Sequence, residues 1–401
     1  MQAEKLLCHE KVNFFSVIKP QGPLEFDFQA TTPCDPEVLA AMSPYWKDSW
    51  GNASSRQSKI GLHASATLGV AREQLARNLN IRPERLIFTS GATEANNLAL
   101  LGHARARAKE LGKSGHLITV TTEHHSVLDP LRQLVREGFS VTELRPNSDG
   151  LVSPDQLEKA INDDTFLVSI MMANNEIGVL QPISDLSRLC NKRGIIFHTD
   201  AAQAFGKIDF DIDNMGIDFL TISGHKIYGP KGIGALVIRE NVPIQPLQWG
   251  GGQEQFIRPG TVPIPLVVGL AKASELALCN LNSCQKMLCS LRNELWSDLQ
   301  EQIPDLILNG SMKYRLPSNL NFTVPGVNGS RLQYSLRSLL NCSSASACSN
   351  GEPSHVLREI GRTMKQSEAS LRLSLGKETT LSDVKSAVKI IVDIVSELRR
   401  R

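Results

Sequence analysis

The chain has 401 residues, 41% of them hydrophobic, with 43 Lys and Arg against 41 Asp and Glu and a formal net charge of +2. That length is more than one simple core organises and suggests about two domains. The balanced charge argues against a polybasic nucleic-acid or membrane-surface protein, and apolar runs that are short and broken by charge predict no membrane span.

Residues 1–25 mix polarity and contain Pro20, Gly22 and Pro23, which reads as an N-terminal extension. The first residues, Met1-Gln2-Ala3-Glu4-Lys5-Leu6-Leu7, lack the apolar stretch and cleavage site of a secretory signal, so a cytoplasmic location is expected. Alternation over Leu24 to Phe28 predicts a short strand, and Thr31-Thr32-Pro33 a turn. Apolar strand-like runs then alternate with helical patterns. They are Leu86 to Thr89, His116 to Val120, Phe166 to Met171, Ile195 to Thr199, Phe219 to Ile222 and Ala235 to Ile238. Continuous apolar strands separated by helices predict an α/β architecture, a mostly parallel sheet covered on both faces. After the Pro259-Gly260 turn, Leu266 to Leu299 reads as helical and leads into a second domain. A last amphipathic helix carries Val384, Val388, Ile391, Val395 and Leu398 on one stripe, with Ser382 as its expected cap. The expected division is a large domain over 26–275 and a smaller α+β domain over 276–401, with part of the N-terminal segment packing on the latter.

Eight cysteines, at positions 8, 34, 190, 279, 284, 289, 342 and 348, form no CxxC pair and no zinc spacing. They read as reduced thiols, and no metal site is expected.

The chemistry concentrates at strand ends. Asp200 ends one apolar run, and Lys226 follows the next in Ser223-Gly224-His225-Lys226-Ile227-Tyr228-Gly229-Pro230. Neighbouring strands would bring both to one sheet edge, where open α/β folds bind ligands. A lysine that holds pyridoxal phosphate covalently, beside a carboxylate that keeps the pyridine nitrogen protonated, needs that pairing. In Ser90-Gly91-Ala92-Thr93-Glu94, small residues between a strand and a helix let backbone N–H groups approach a phosphate at Ala92 and Thr93, with the Thr93 hydroxyl in support. An ordinary capped helix would look much the same. Ser223 and His225 are further phosphate candidates. His124 reads either as a structural histidine or as a ring-stacking proton carrier. Asn175 and Gln203 are candidates for the substrate carboxylate and the ring hydroxyl, or ordinary turn residues.

Taken together, Ala30-Thr31-Thr32-Pro33, Thr89 to Glu94, Thr122-Glu123-His124, Asn174-Asn175-Glu176-Ile177-Gly178, Asp200-Ala201-Ala202-Gln203 and Ser223 to Gly232 resemble the cysteine desulfurases. These are the NifS/IscS-like group of the fold-type-I, class V pyridoxal-phosphate enzymes, and the resemblance runs from about Phe26 to the end. It implies that L-cysteine is converted to L-alanine while sulfur passes to an enzyme cysteine as a persulfide. Lys226, Cys348 and His124 would be catalytic. Cys348 lies in Ser343-Ser344-Ala345-Ser346-Ala347-Cys348, where Ala345 replaces the group's usual glycine. Arg372 matches the arginine that grips the substrate carboxylate. Thr261, in Arg258-Pro259-Gly260-Thr261, matches a residue that reaches the partner's cofactor phosphate, so a homodimer is implied. A sulfur-acceptor protein is a further implied partner, serving iron–sulfur assembly, tRNA thiolation or DNA phosphorothioation. A selenocysteine lyase, another aminotransferase-like enzyme or an inactive sulfur-relay scaffold remain alternatives at this point.

Overall fold

The computed structural model describes residues 22–344 and 354–400. Its centre is a seven-stranded sheet of β1 (Leu86–Thr89), β2 (His116–Val120), β3 (Ser140–Leu144), β4 (Thr165–Ser169), β5 (Ile196–Asp200), β6 (Phe219–Ser223) and β7 (Gly234–Ile238), in the order β1-β7-β6-β5-β4-β2-β3. The run β6-β5-β4-β2-β3 is parallel, while β7 is antiparallel to both β1 and β6. The expected fold-type-I α/β sheet is therefore present. Most of its strands are buried at every residue, which is why they read as unbroken apolar runs. In β5 only Ile196 is half-buried; the marked exception is the edge strand β3, which the sequence reading does not contain. Only Leu144 of it is buried, and Ser140-Val141-Thr142-Glu143 lacks the apolar density of its neighbours.

The helices that matter for the site are α1 (Lys59–Asn78), α2 (Ala92–Asn97), α3 (His125–Arg136), α4 (Ile264–Cys279), α5 (Leu281–Gln302) and α6 (Leu381–Arg400). The stretch expected as one helix from Leu266 to Leu299 is two, α4 and α5, bent by 68° at Asn280. Asn280 reaches back to the Leu276 carbonyl at 3.3 Å, while its own carbonyl accepts from Ser283 Oγ at 3.0 Å. Such local bonds offer the backbone an alternative to continuing the helix. The bend also serves two cores. Val267, Leu270 and Ala273 of α4 pack under the large sheet, whereas Leu288, Leu295 and Leu299 of α5 pack with Phe322, Leu371, Leu373 and the apolar stripe of α6. Among the described residues no single helix is long and apolar enough to cross a membrane.

The second core sits on a four-stranded sheet of β8 (Ile307–Leu308), β9 (Asn319–Thr323), β10 (Ser343–Ser344) and β11 (Ser370–Ser374), in the order β10-β11-β9-β8. Helix α6 is capped by Thr380, not Ser382. Thr380 Oγ1 accepts from the Asp383 N–H at 3.2 Å, and Asp383 Oδ2 accepts from the Thr380 N–H at 2.8 Å. A reciprocal pair satisfies two orphan donors where a single serine would satisfy one.

Residues 24–35 tie the two cores together. Leu24–Glu25 pairs in parallel with Leu340–Asn341, and the fully buried Phe26 joins the second core. A few residues on, Thr32 N–H donates to the His225 carbonyl at 3.0 Å and Asp35 N–H to the Tyr228 carbonyl at 2.9 Å. The loop carrying Lys226 is thereby sewn to the Thr31-Thr32-Pro33 turn.

Candidate active site

The parallel strands end in turns along one sheet edge, and that edge carries the chemistry. Asp200 is the last residue of β5, in register with Thr221 of β6, and Lys226 ends the 3₁₀ turn that follows β6. Both line one cleft of about 690 Å³, together with Ala92, Thr93, His124, Asn175, Gln203, Ser223, His225 and Arg372. Gln29 and Lys226 also line a second cavity of about 550 Å³ walled by Phe28, Tyr228, Leu276 and Leu288. Among the described residues predicted for the site, only Lys226 reaches it. Thr261 is exposed and is not among the residues lining the cleft of its own chain. Cys348 and Ala345 lie outside the described residues.

Lys226 donates from Nζ to the Gln29 and Ala30 carbonyls at 2.9 and 2.7 Å. Two residues on, Tyr228 holds φ at +62°, which is costly for a non-glycine residue. Its N–H donates to Thr32 Oγ1 at 2.8 Å, and its hydroxyl accepts from the Lys377 N–H at 2.8 Å. These bonds hold the strained turn that aims the lysine.

Asp200 keeps its carboxylate in place by accepting from Ala202 N–H at 2.9 Å and from Asn96 Nδ2 at 2.7 Å. Beside it, burial pushes the Glu123 carboxyl well above the usual range, against the pull of the Met171 N–H it accepts at 2.6 Å, with Asp200 adding to the rise. Burial thus favours the neutral form of Glu123. Burial, and then the cations Lys226 and Lys231, push His225 down to about 4, so it stays neutral against Thr31 Oγ1 at 3.1 Å. Gln203 has its amide orientation set, because Oε1 accepts from Lys207 Nζ at 2.9 Å while Nε2 donates to the Gln29 carbonyl at 3.0 Å. Burial, then Lys226 and Arg372, bring the Lys207 amine down to about 7.

On the substrate side, Arg372 of β11 donates from Nη1 to the Asn175 carbonyl at 2.7 Å and from Nη2 to Asp27 Oδ1 at 2.7 Å and Ser343 Oγ at 2.5 Å. Its Nε and the Oδ1 of Asn175 are buried without a hydrogen-bond partner. Both residues line the cleft. The loop holding Asn175 folds around Asn174, whose Oδ1 accepts from the N–H groups of Glu176 and Ile177 at 2.8 and 2.9 Å. Gly178 closes it at φ +69°, with its α-carbon so near Asn319 that a Cβ would sit 2.4 Å from that side chain.

A pyridoxal phosphate group fits this wall. Gly91, at φ +149°, opens the entry to α2 where a side chain would meet nothing within 4 Å. The first N–H groups of the helix, with the Thr93 hydroxyl, suit a phosphate there. Asp200 suits a protonated ring nitrogen, and Lys226 a covalent hold. Sequence reasoning missed Gln29, Asn96, Ser126 and Lys207. Asn96 left one signal, a polar residue of low helix propensity at a fully buried position of a helix.

This fold and wall define a class, the pyridoxal-phosphate enzymes of fold type I. The chain belongs to the class-V aminotransferase family, whose model matches residues 25–386. Human cysteine desulfurase is 45% identical over 381 residues, covering 94% of this chain and 82% of the relative. A solved NifS-like protein superposes with TM-score 0.86 at 35% identity, covering 94% of this chain and all of that one. A structure of SspA in complex with cysteine gives TM-score 0.77 at 38% identity, with 89% and 99% covered.

Proposed function

We propose that the protein is a pyridoxal-phosphate-dependent cysteine desulfurase that takes sulfur from L-cysteine, releases L-alanine and passes the sulfur on from Cys348. The observation that carries this is the convergence of Lys226, Asp200, His124, Asn175 and Arg372 on one cleft. Bound there, the cofactor supplies an electron sink that makes the substrate Cα–H acidic. Arg372 grips the substrate carboxylate with its guanidinium, and Asn175 lies alongside in the same cleft. Lys226 Nζ removes the Cα proton and returns it during turnover. Asp200 holds the compensating charge, and His124 covers the site.

Sulfur transfer needs a thiolate. Burial raises the thiols of Cys34, Cys190, Cys284 and Cys342, the last two nearest in the chain to the second core, and Cys342 reaches about 12. No described cysteine lines the cleft. Ser343 does, and Cys348 follows it five residues later. A tether of that length spans up to about 17 Å, enough for Cys348 to enter the cleft and to meet an acceptor protein. Cys348 Sγ, as thiolate, bonds to the substrate sulfur as the substrate Cβ–Sγ bond breaks. That electron pair stays with carbon, which is protonated to give alanine.

The reading includes a homodimer in which Thr261 serves the partner's cleft. Trp46, Trp50, Trp249 and Phe256 are 62, 67, 84 and 74% exposed, and the segments of Trp50 and Trp249 are joined by Gln253 Nε2 donating to Ser54 Oγ at 3.4 Å. An apolar surface of that kind supports self-association.

The test is L-alanine and persulfide formation from L-cysteine. Lys226→Ala is expected to abolish both. Cys348→Ala is expected to abolish persulfide on the protein and to lower alanine release at least ten-fold. Unchanged persulfide in Cys348→Ala would remove that residue from the reaction.

A further inference from the structure

A chain of side-chain hydrogen bonds runs from Asp200 to His124 through Asn96, which does not line the cleft, and Ser126, which does. Asn96 Nδ2 lies 2.7 Å from Asp200 Oδ2 and 2.8 Å from Ser126 Oγ, and Ser126 Oγ lies 2.8 Å from His124 Nδ1. We propose that Asn96 and Ser126 are positioning residues that bind the Asp200 carboxylate and the His124 imidazole into one unit, holding Asp200 ionised and His124 neutral with its proton on Nε2. The proposal rests on reading Asp200 and His124 as the groups that face the cofactor ring.

The direction of each bond follows from the chemistry of its partners. An ionised carboxylate only accepts, so Asn96 must turn its NH₂ toward Asp200. Both of its protons are then spent, one on Asp200 and one on Ser126, and its Oδ1 is left buried without a partner. The opposite amide orientation would set two oxygens against each other at hydrogen-bond distance. The orphaned oxygen is thus explained by the relay, as a buried unsatisfied group should be. Ser126 Oγ accepts from Asn96 and has its own proton left for His124 Nδ1.

His124 is constrained a second time. It is the N-cap of α3, and its Nδ1 accepts the Ser126 N–H at 3.1 Å. A nitrogen that accepts from a helix N–H keeps its lone pair, so the ring proton sits on Nε2. Adding a proton to Nδ1 would cost the cap and the relay together. Burial also lowers the pKa of His124, against the opposing pull of Asp200. The charged and titratable groups facing this pair are Lys226, His125, Asp129 and His355 around His124, and Glu123 beside Asp200.

The experiment uses the cofactor-loaded protein and reads the pH titration of its visible absorption band alongside kcat and KM. Asn96→Leu is expected to move the titration midpoint by about half a unit or more and to lower kcat about ten-fold, the scale of one charge-assisted hydrogen bond. KM for L-cysteine should stay within about two-fold, because Arg372 and Asn175 are untouched. Ser126→Ala should move the midpoint the same way by less, and Ser126→Thr, which keeps the hydroxyl, should restore it. If Asn96→Leu fails to fold, the two Ser126 variants carry the test. The double variant should be no worse than Asn96→Leu, since one break opens the relay. Additive losses, or an unmoved midpoint in Asn96→Leu and Ser126→Ala, would overturn the proposal. Asp200→Asn separates the two levels. An altered band in that variant with an unmoved one in Asn96→Leu refutes the relay alone, whereas no alteration in either refutes the role of Asp200 beneath it.

Discussion

Arg372 illustrates how a single side chain is prepared and then left incomplete. Asp27 and Ser343 hold Nη2, and the Asn175 carbonyl holds Nη1, so the planar fork is fixed before any ligand arrives. Its buried Nε has no partner. A lysine could supply charge at this position but not a pre-set plane. Arg372→Lys is therefore expected to raise KM for L-cysteine by about ten-fold or more, with the visible band of the bound cofactor unchanged, as steady-state kinetics beside a spectrum will check. An unchanged KM would mean that the carboxylate is held elsewhere.

At the level of elements, the loop of Asn174 to Gly178 and the helix His355–Glu359 meet through Glu176, which accepts from Ser354 Oγ. Burial raises Glu176 from 4.5 to about 7, with the Ser354 bond and Arg372 pulling the other way. Between those two values the folded chain holds a proton that the unfolded chain has released. Stability therefore falls as pH rises through that window, and the loss is complete above it. Glu176→Gln escapes the loss. Its stability relative to wild type is expected to rise by about 2 kcal/mol between pH 5 and pH 8 in urea melts. A pH-independent difference would show that Glu176 is already ionised at pH 5. The same scale decides what was legible beforehand. Strands buried on both faces announced themselves as apolar runs, and Asp200 and Lys226 could be placed at their ends. The edge strand β3 could not, because Ser140 and Glu143 are exposed and only Leu144 is buried, so no apolar run forms. Helices α4 and α5 read as one helical stretch because the break at Asn280 uses one ordinary polar residue and no Gly or Pro. At the site, residues that touch a ligand sat in recognisable segments. Asn96, Ser126 and Lys207 act through other side chains, and such contacts depend on which helices pack together.

For the whole molecule, the position of Thr261 outside its own cleft sets a test of the proposed dimer. Thr261→Ala and Lys226→Ala subunits, each inactive or impaired alone, should recover activity when dissociated and re-associated as a mixture. Half of the random pairs are mixed, and each mixed pair holds one site with both residues, so about a quarter of the sites should work. No recovery would place the Thr261 contribution within its own subunit or nowhere. The strap of residues 24–35 bears on how the molecule is made. Its first strand partners Leu340–Asn341, more than three hundred positions later. A ribosome adding roughly 5–20 residues per second needs on the order of tens of seconds to cover that gap. Throughout that interval Phe26 has emerged and its neighbours have not, so the earliest apolar segment of the fold waits for the latest. The large sheet can assemble during synthesis, but the second core cannot close until Leu340, Leu371 and the stripe of α6 have emerged, which makes this newborn polypeptide a natural client for chaperones.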